Sequence, residues 1–193
     1  MISTLVTAPV IEPVTLDEAR QHLRVDDHHD DDQYISTLVT VAREWIETFT
    51  HRALNTQTWN LFLDRFPTEI RLPKGSLQSV TEAAFTYVDT DGDATQVPTA
   101  TYTVDTDSTL GRIYLAYNQS WPTIRDQEKA IQVQYVAGYG DAAADVPAPL
   151  RQAILIMIGQ WYEMREPVIT GTIVTKVPWA AESLAYPYRL FSL

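Results

Sequence analysis

Cysteine is absent from the sequence, which excludes a disulfide framework, a thiolate metal site and a cysteine nucleophile. Positive charge is scarce. Fourteen Lys and Arg stand against 25 Asp and Glu, for a formal net charge of -11 and a pI of about 4.6. A protein that reads nucleic-acid sequence neutralises phosphates with clustered cations, and no such cluster occurs here, so that class is disfavoured. Long apolar runs are missing too. The most apolar stretch, Ala153 to Gly159, is far shorter than the ~20 residues a membrane helix needs. The opening MISTLVTAPVIEPVT lacks the basic start and extended apolar core of a secretory signal. These absences lead to the expectation of a soluble, acidic, unprocessed chain with no membrane association. The composition is ordinary for a folded protein: 45% of the 193 residues are apolar and 10% aromatic, enough for one domain or one and a half with a real core.

Periodicity divides the chain into three regimes and a tail. In PVTLDEARQHLR, Thr15 is followed three residues later by Glu18, a capping box that starts a short first helix ending near Val25. A stronger second helix follows, with Ile35, Leu38, Ala42, Trp45 and Phe49 on its apolar face and Ser36, Thr37, Arg43, Glu44 and Glu47 opposite. Between Gln57 and Ala137 the period shortens. TWNLFLDRF, IRLP, AAFTYVDTDGDATQV, YTVD, GRIYLAY and IQVQYVAGY are short, rich in Thr, Tyr, Val and Ile, and separated by turn residues, which predicts five to seven antiparallel strands. Asp91-Gly92 reads as a hairpin turn. PAPLRQAILIMIGQWYEMREP then returns to helix, with Pro147 or Pro149 in its first turn and Pro167 as its stop. That helix is apolar around its whole circumference and needs partners on more than one side, either the β module with the second helix or a neighbouring subunit. The remainder reads as an extended piece, a short helix near Trp179 to Ala185, and apolar residues to the end. The expected fold class is α+β: a helical bundle core, made of the two N-terminal helices and the long C-terminal helix, with an inserted antiparallel β module. The expected boundaries are 1–56, 57–140, 141–167 and, for an extended docking tail, 168–193.

Candidate chemistry is thin. VDDHHDDDQYI packs Asp26, Asp27, His28, His29, Asp30, Asp31 and Asp32 together before turning apolar. A calcium loop requires a central glycine and a terminal glutamate, and both are missing. Adjacent histidines rarely converge on zinc, and no second pair follows at ligand spacing. The pattern suits a helix start, where carboxylates accept from unpaired amides and face the positive end of the dipole, with one of Asp30, Asp31 and Asp32 as the N-cap and the others as first-turn or linker acids. His22 lies in the first helix and His51 just past the second, and no serine sits in a G-x-S-x-G elbow. AGYGDA holds a lone G-x-G without the lysine or βαβ context of a phosphate cradle. Paired carboxylates are expected by chance among 25 acids, so a hydrolase reading has no specific support. No catalytic residue, metal site or cofactor is expected. The five tryptophans are spread through every segment, as core and seam residues are. The tail differs, because it is too short for its own core yet carries Trp179, Tyr186, Tyr188 and Phe191. Interfaces favour such anchors. Together with Ile154, Ile156, Ile158 and Trp161 of the all-round apolar helix, they form the candidate interface set for self-association or partner docking.

Two long stretches carry a resemblance. PVTLDEARQHLRVDDHHDDDQYISTLVTVAREWIETFTHRALNTQTW with IRLPKGSLQSV, and later GYGDAAADVPAPLRQAILIMIGQWYEMRE, together resemble the phage head-to-tail connector (adaptor) family. The similarity runs from about Pro13 to Pro167 and rests on an ordered series of segments, not on one signature. It implies a non-enzymatic structural protein of the virion neck, made in the host cytoplasm and joining the portal to the tail terminator, stopper or another neck protein. It also implies rings of about twelve subunits around a DNA channel, a helical bundle as shared core, and a tail reaching toward the portal. The residues themselves agree with this in two ways. An acidic chain repeated around a pore repels duplex phosphates, so DNA passes without sequence-specific binding. A ring needs two different complementary faces on each subunit, and the apolar helix and the β module can supply them. The competing expectation is a carbohydrate- or cation-binding β module, motivated by the Tyr- and Trp-rich strands and the aspartate cluster.

Overall fold

The computed structural model describes residues 1–25, 29–164 and 179–191. In chain order its elements are β1 (Ile2–Thr7), α1 (Leu16–Leu23), α2 (Asp32–Thr50), β2 (Gln57–Leu63), β3 (Glu69–Arg71), β4 (Leu77–Val88), β5 (Ala94–Gln96), β6 (Tyr102–Asp105), β7 (Arg112–Leu115), β8 (Ile131–Ala137), α3 (Ala148–Glu163) and α4 (Trp179–Ala185). Helices and antiparallel sheets fall in separate parts of the chain, an α+β arrangement. Two compact units result, a sheet unit of Met1–Pro9 with Thr56–Tyr139 and a helical unit of Val10–Asn55 with Gly140–Phe191.

In the sheet unit, a five-stranded sheet has the order β1-β2-β8-β4-β5 and a three-stranded sheet the order β3-β7-β6. Every neighbouring pair is antiparallel. β8 is central, and its alternation shows why it folds so: Ile131, Val133, Tyr135 and Ala137 are buried while the residues between them are half-buried, the two-residue period of a strand with one face on a core. Leu61, Leu63, Ile70, Phe85, Val97 and Ile113 complete that core. Burial raises the Tyr135 hydroxyl far above the usual phenol pKa. The hairpin read from Asp91-Gly92 joins β4 to β5. Asp89 Oδ1 accepts from the amides of Asp91, Gly92 and Asp93 at 3.0 Å each, and Gly92 takes φ +98°, where other residues are strained.

β1 departs from the expectation that residues 1–56 contribute only helices. Ile2–Thr7 pairs along β2, with Ile2 opposite Phe62 and Leu5 opposite Trp59. The sheet therefore begins before the helices do. The physical reason is composition, since ISTLVT is rich in β-branched residues that favour the pleated conformation, while its partner lies more than fifty residues away in sequence.

In the helical unit, α1 packs on α2 and α3, α2 on α3 and α4, and α3 on α4. The α1 cap is reciprocal: Thr15 Oγ1 accepts from Glu18 N at 3.2 Å, and Thr15 N donates to Glu18 Oε2 at 2.9 Å. α2 buries Ile35, Leu38, Val39, Ala42 and Ile46 and, against expectation, Arg43 and Glu47. Trp45 and Phe49, expected on the apolar face, sit at its half-buried margin and stack with ring centroids 5.0 Å apart. The face is rotated because Arg43 and Glu47 neutralise each other, with Nη1 and Oε2 2.8 Å apart; a paired charge can enter a core that an unpaired one cannot. α3 begins with Pro149 in its first turn and meets three other helices, which covers a surface too apolar for water. Its expected stop, Pro167, lies outside the described residues.

Candidate functional site

The aspartate cluster is a junction among three helices. Asp26, Asp27 and His28 lie outside the described residues. Asp30 is exposed in the turn before α2. Asp31 occupies the N-cap position but makes no capping bond to the helix amides; its Oδ2 accepts from Tyr162 Oη of α3 at 2.5 Å. Asp32 Oδ1 is 3.0 Å from Arg20 Nε of α1, and its Oδ2 is 3.1 Å from His29 Nδ1. Asp31 and Asp32 thus stand at the N-cap and in the first turn of α2, but the expected side-chain bond from the cap to the helix amides is not made. Arg20 of α1 forms an ion pair with Asp32 and Tyr162 of α3 donates to Asp31, which turns these carboxylates toward the neighbouring helices. Among the described residues, no group of three or more His, Asp or Glu is arranged to hold a metal.

Glu18 is a second tie. Beyond capping α1, its Oε1 accepts from Arg151 Nη2 of α3, while Arg151 Nε donates to the Pro13 carbonyl at 2.8 Å. The backbone bond from Thr15, followed by the bonds and charge of Arg151, holds the Glu18 carboxyl below its ordinary pKa against the opposing effect of burial. A third tie was not legible in the sequence. Arg43 Nε reaches Glu12 Oε2 at 2.8 Å, and Glu47 Oε1 accepts from Leu54 N at 2.9 Å. Burial disfavours the Arg43 charge, yet Glu47 and Glu12 beside it raise its pKa above the ordinary arginine value.

The candidate interface set splits. Ile154 and Ile158 are fully buried within the helical unit and offer nothing to another molecule, which corrects their assignment; α1, α2 and α4 already cover the helix that carries them. Ile156 and Trp161 are half-buried. In the tail, by contrast, Trp179 is 81%, Phe191 69% and Tyr186 56% exposed. Tyr188 is half-buried, its carbonyl accepting from Arg52 Nε at 2.6 Å.

Small contacts hold this tail in place. Ala181 and Ala185 are the buried residues of α4, and Leu190 N donates to the Thr50 carbonyl at 2.9 Å. The Arg189 guanidinium lies over the rings of Phe49 and Phe191, at 5.0 and 5.5 Å from their centroids. Tyr186 and Phe191 meet edge to face at 5.5 Å. An open groove runs between Phe49, Trp179, Glu182, Tyr186 and Arg189. Exposed aromatic rings stand there beside the Arg189 cation, the Glu182 carboxylate and the Ser183 hydroxyl.

A second exposed apolar strip was missed in the sequence. Ile2, Leu5 and Val6 of β1 are each about half exposed, at one end of the five-stranded sheet. The available signal was the run of β-branched residues without a charge. In the sheet unit, Trp121 stacks on Phe66 at 4.6 Å and donates its Nε1 hydrogen to the Pro67 carbonyl at 3.0 Å, so the polar edge of its ring is occupied by the chain itself.

No helix among the described residues is long and apolar enough to cross a membrane, and no curated protein matches the chain. Seven chains of solved structures match, among them three that cover its full length. A chain in the neck of an empty gene transfer agent particle, computed with C6 symmetry, is 25% identical with a TM-score of 0.81, covering 100% of this chain and 97% of that one. A chain of the native gene transfer agent virion is 26% identical with a TM-score of 0.79 over the same shares. A third, from the native particle's neck computed with C12 symmetry, shares the fold at 24% identity and a TM-score of 0.75, again covering 100% and 97%. The family model described as phage gp6-like head-tail connector protein matches residues 13–109. With that match spanning half of its length, this chain belongs to the phage gp6-like head-tail connector family.

Proposed function

We propose that the protein is a structural component of a phage-like particle neck, assembling as a ring between the portal and the tail or its stopper and surrounding a channel through which DNA passes. The observation that carries this reading is likeness over the whole chain, 100% of this protein and 97% of its neighbour at a TM-score of 0.81, to a chain in a particle neck computed with rotational symmetry; a related neck was computed with C12 symmetry. Three features support it. The formal charge of -11, repeated around an axis, repels duplex phosphates and keeps the passage from binding DNA. The helical unit, with its three polar ties, serves as the rigid bundle core of each subunit. The exposed aromatics of the tail serve as a docking surface for the portal, so that residues from 168 onward act as the attachment segment. The role is one of shape and assembly, with no chemical transformation.

The test is the native mass of the purified full chain, alone and with heads that carry portal. Rings, formed alone or on heads, are expected. A monomer that joins no head under any condition overturns the proposal.

A further inference from the structure

We propose that the neck ring is stitched by its sheets, with β1 of one subunit adding as a strand to the β5 end of the five-stranded sheet of the next. This deepens the ring reading of the previous subsection and rests on it. A closed ring of identical chains requires two different surfaces that fit each other. The five-stranded sheet has two different ends, β1 and β5, and each end strand presents main-chain groups on its outer side that a further strand can pair.

Charge distinguishes these ends from other strand edges in the chain. Natural sheets protect their edges with charged side chains or proline. The three-stranded sheet does so. Its outer strands carry Glu69, Arg71 and Asp105, with Arg112 2.6 Å from Asp105 and 3.4 Å from Glu69. The five-stranded sheet does not: neither ISTLVT nor ATQ contains an ionisable residue or a proline. In a chain of net charge -11, two copies repel each other almost everywhere, and contact is least opposed where both faces are neutral. β1 and β5 are such a pair, which is why the occupant is a second copy of this chain. The half-exposed side chains of Ile2, Leu5 and Val6 would be covered by that contact. β5 is short and pairs only with Thr86–Val88, so a six-residue partner is seated on Ala94–Gln96 and overhangs it.

The lack of native cysteine makes the test clean. Cysteine is introduced at Leu5 or Val6 and, in the same chain, at Ala94 or Gln96, and full-length protein is assembled with heads and oxidised. Double variants such as L5C/A94C are expected to give a ladder of covalent multimers on a denaturing gel, whereas single variants stay monomeric, because the two edges differ. Independently, Val6→Asp is expected to lower the fraction of protein in rings by about tenfold or more, equivalent to ~1.4 kcal/mol or more per contact, because it buries an unpaired carboxylate where the two uncharged edges meet. Circular dichroism confirms that its monomer is folded. Rings that form normally with Val6→Asp, or that yield no ladder with any pair, overturn this inference and leave the ring reading standing. Absence of rings in the unmodified protein overturns both.

Discussion

Removing the Arg43 side chain puts the logic of the helical unit at risk in one step. Arg43 is 6% exposed and Glu47 8%. The guanidinium lies 2.8 Å from Glu12, 2.8 Å from Glu47 and 3.5 Å from Glu44. Arg43→Met keeps most of the volume and deletes the charge. Glu47 then loses the guanidinium 2.8 Å away and keeps the Leu54 amide, and breaking a buried pair in this way costs up to ~3 to 5 kcal/mol. That is a large share of the ~5 to 15 kcal/mol that holds a typical domain together. Urea denaturation followed at 222 nm is the assay, because all four helices belong to this unit. Arg43→Met is expected to move the helical transition down by that amount at neutral pH. The double variant R43M/E47Q, which deletes both charges and keeps a hydrogen-bonding group for Leu54, should recover a substantial part of the loss, since contacting residues are not additive. A stability within ~1 kcal/mol of the unmodified protein for Arg43→Met would refute the argument that paired charge is what rotates the buried face of α2.

Glu18 makes a pH-dependent contribution of definite sign. Its folded pKa is lowered from 4.5, so its stabilisation is complete above that value and is lost as pH falls through the lower, folded one; Glu18→Gln should be clearly less stable than the unmodified protein at about pH 6 and nearly equal to it at about pH 2. His51 ends α2 with φ +58°, a conformation that glycine takes without strain, so His51→Gly should raise the helical transition by ~0.5 to 1 kcal/mol in urea. Trp179→Ala, at a site 81% exposed, should shift stability by less than ~0.5 kcal/mol while reducing the amount of protein recovered on heads in a sedimentation assay.

Local signals were legible from sequence; non-local ones were not. The Thr15–Glu18 cap lies within four residues, and the pattern that predicts it is the pattern that forms it. The short helix at Trp179–Ala185 and the strands within Gln57–Ala137 were readable for the same reason, each having a period and a turn signal of its own. β1 was not, because ISTLVT becomes a strand only when β2 arrives to pair with it. The buried face of α2 was misplaced by treating every charge as solvated. Arg43 and Glu47 are a local pair four residues apart, but nothing in the helix sequence shows that Glu12 will reach Arg43 from before α1 or that Glu47 will take the Leu54 amide. The aspartates before α2 fit the rule for helix starts, but they are used by Tyr162, more than one hundred residues downstream, and by Arg20. For the same reason Ile154 and Ile158 could not be told from surface anchors: an all-round apolar helix announces a need for cover and not who provides it.

The alanine footing of the tail bears on how a docking segment can let go. Ala181 and Ala185 are the residues that α4 buries, each with one methyl group worth roughly 0.8 kcal/mol when removed from water. Lifting that foot would nonetheless uncover the apolar flank of α3 and break the bonds of Arg52 and Thr50 to the tail. A receptor that grips the outward-facing rings therefore gains most if the segment stays seated, since none of its grip is then spent on detaching it.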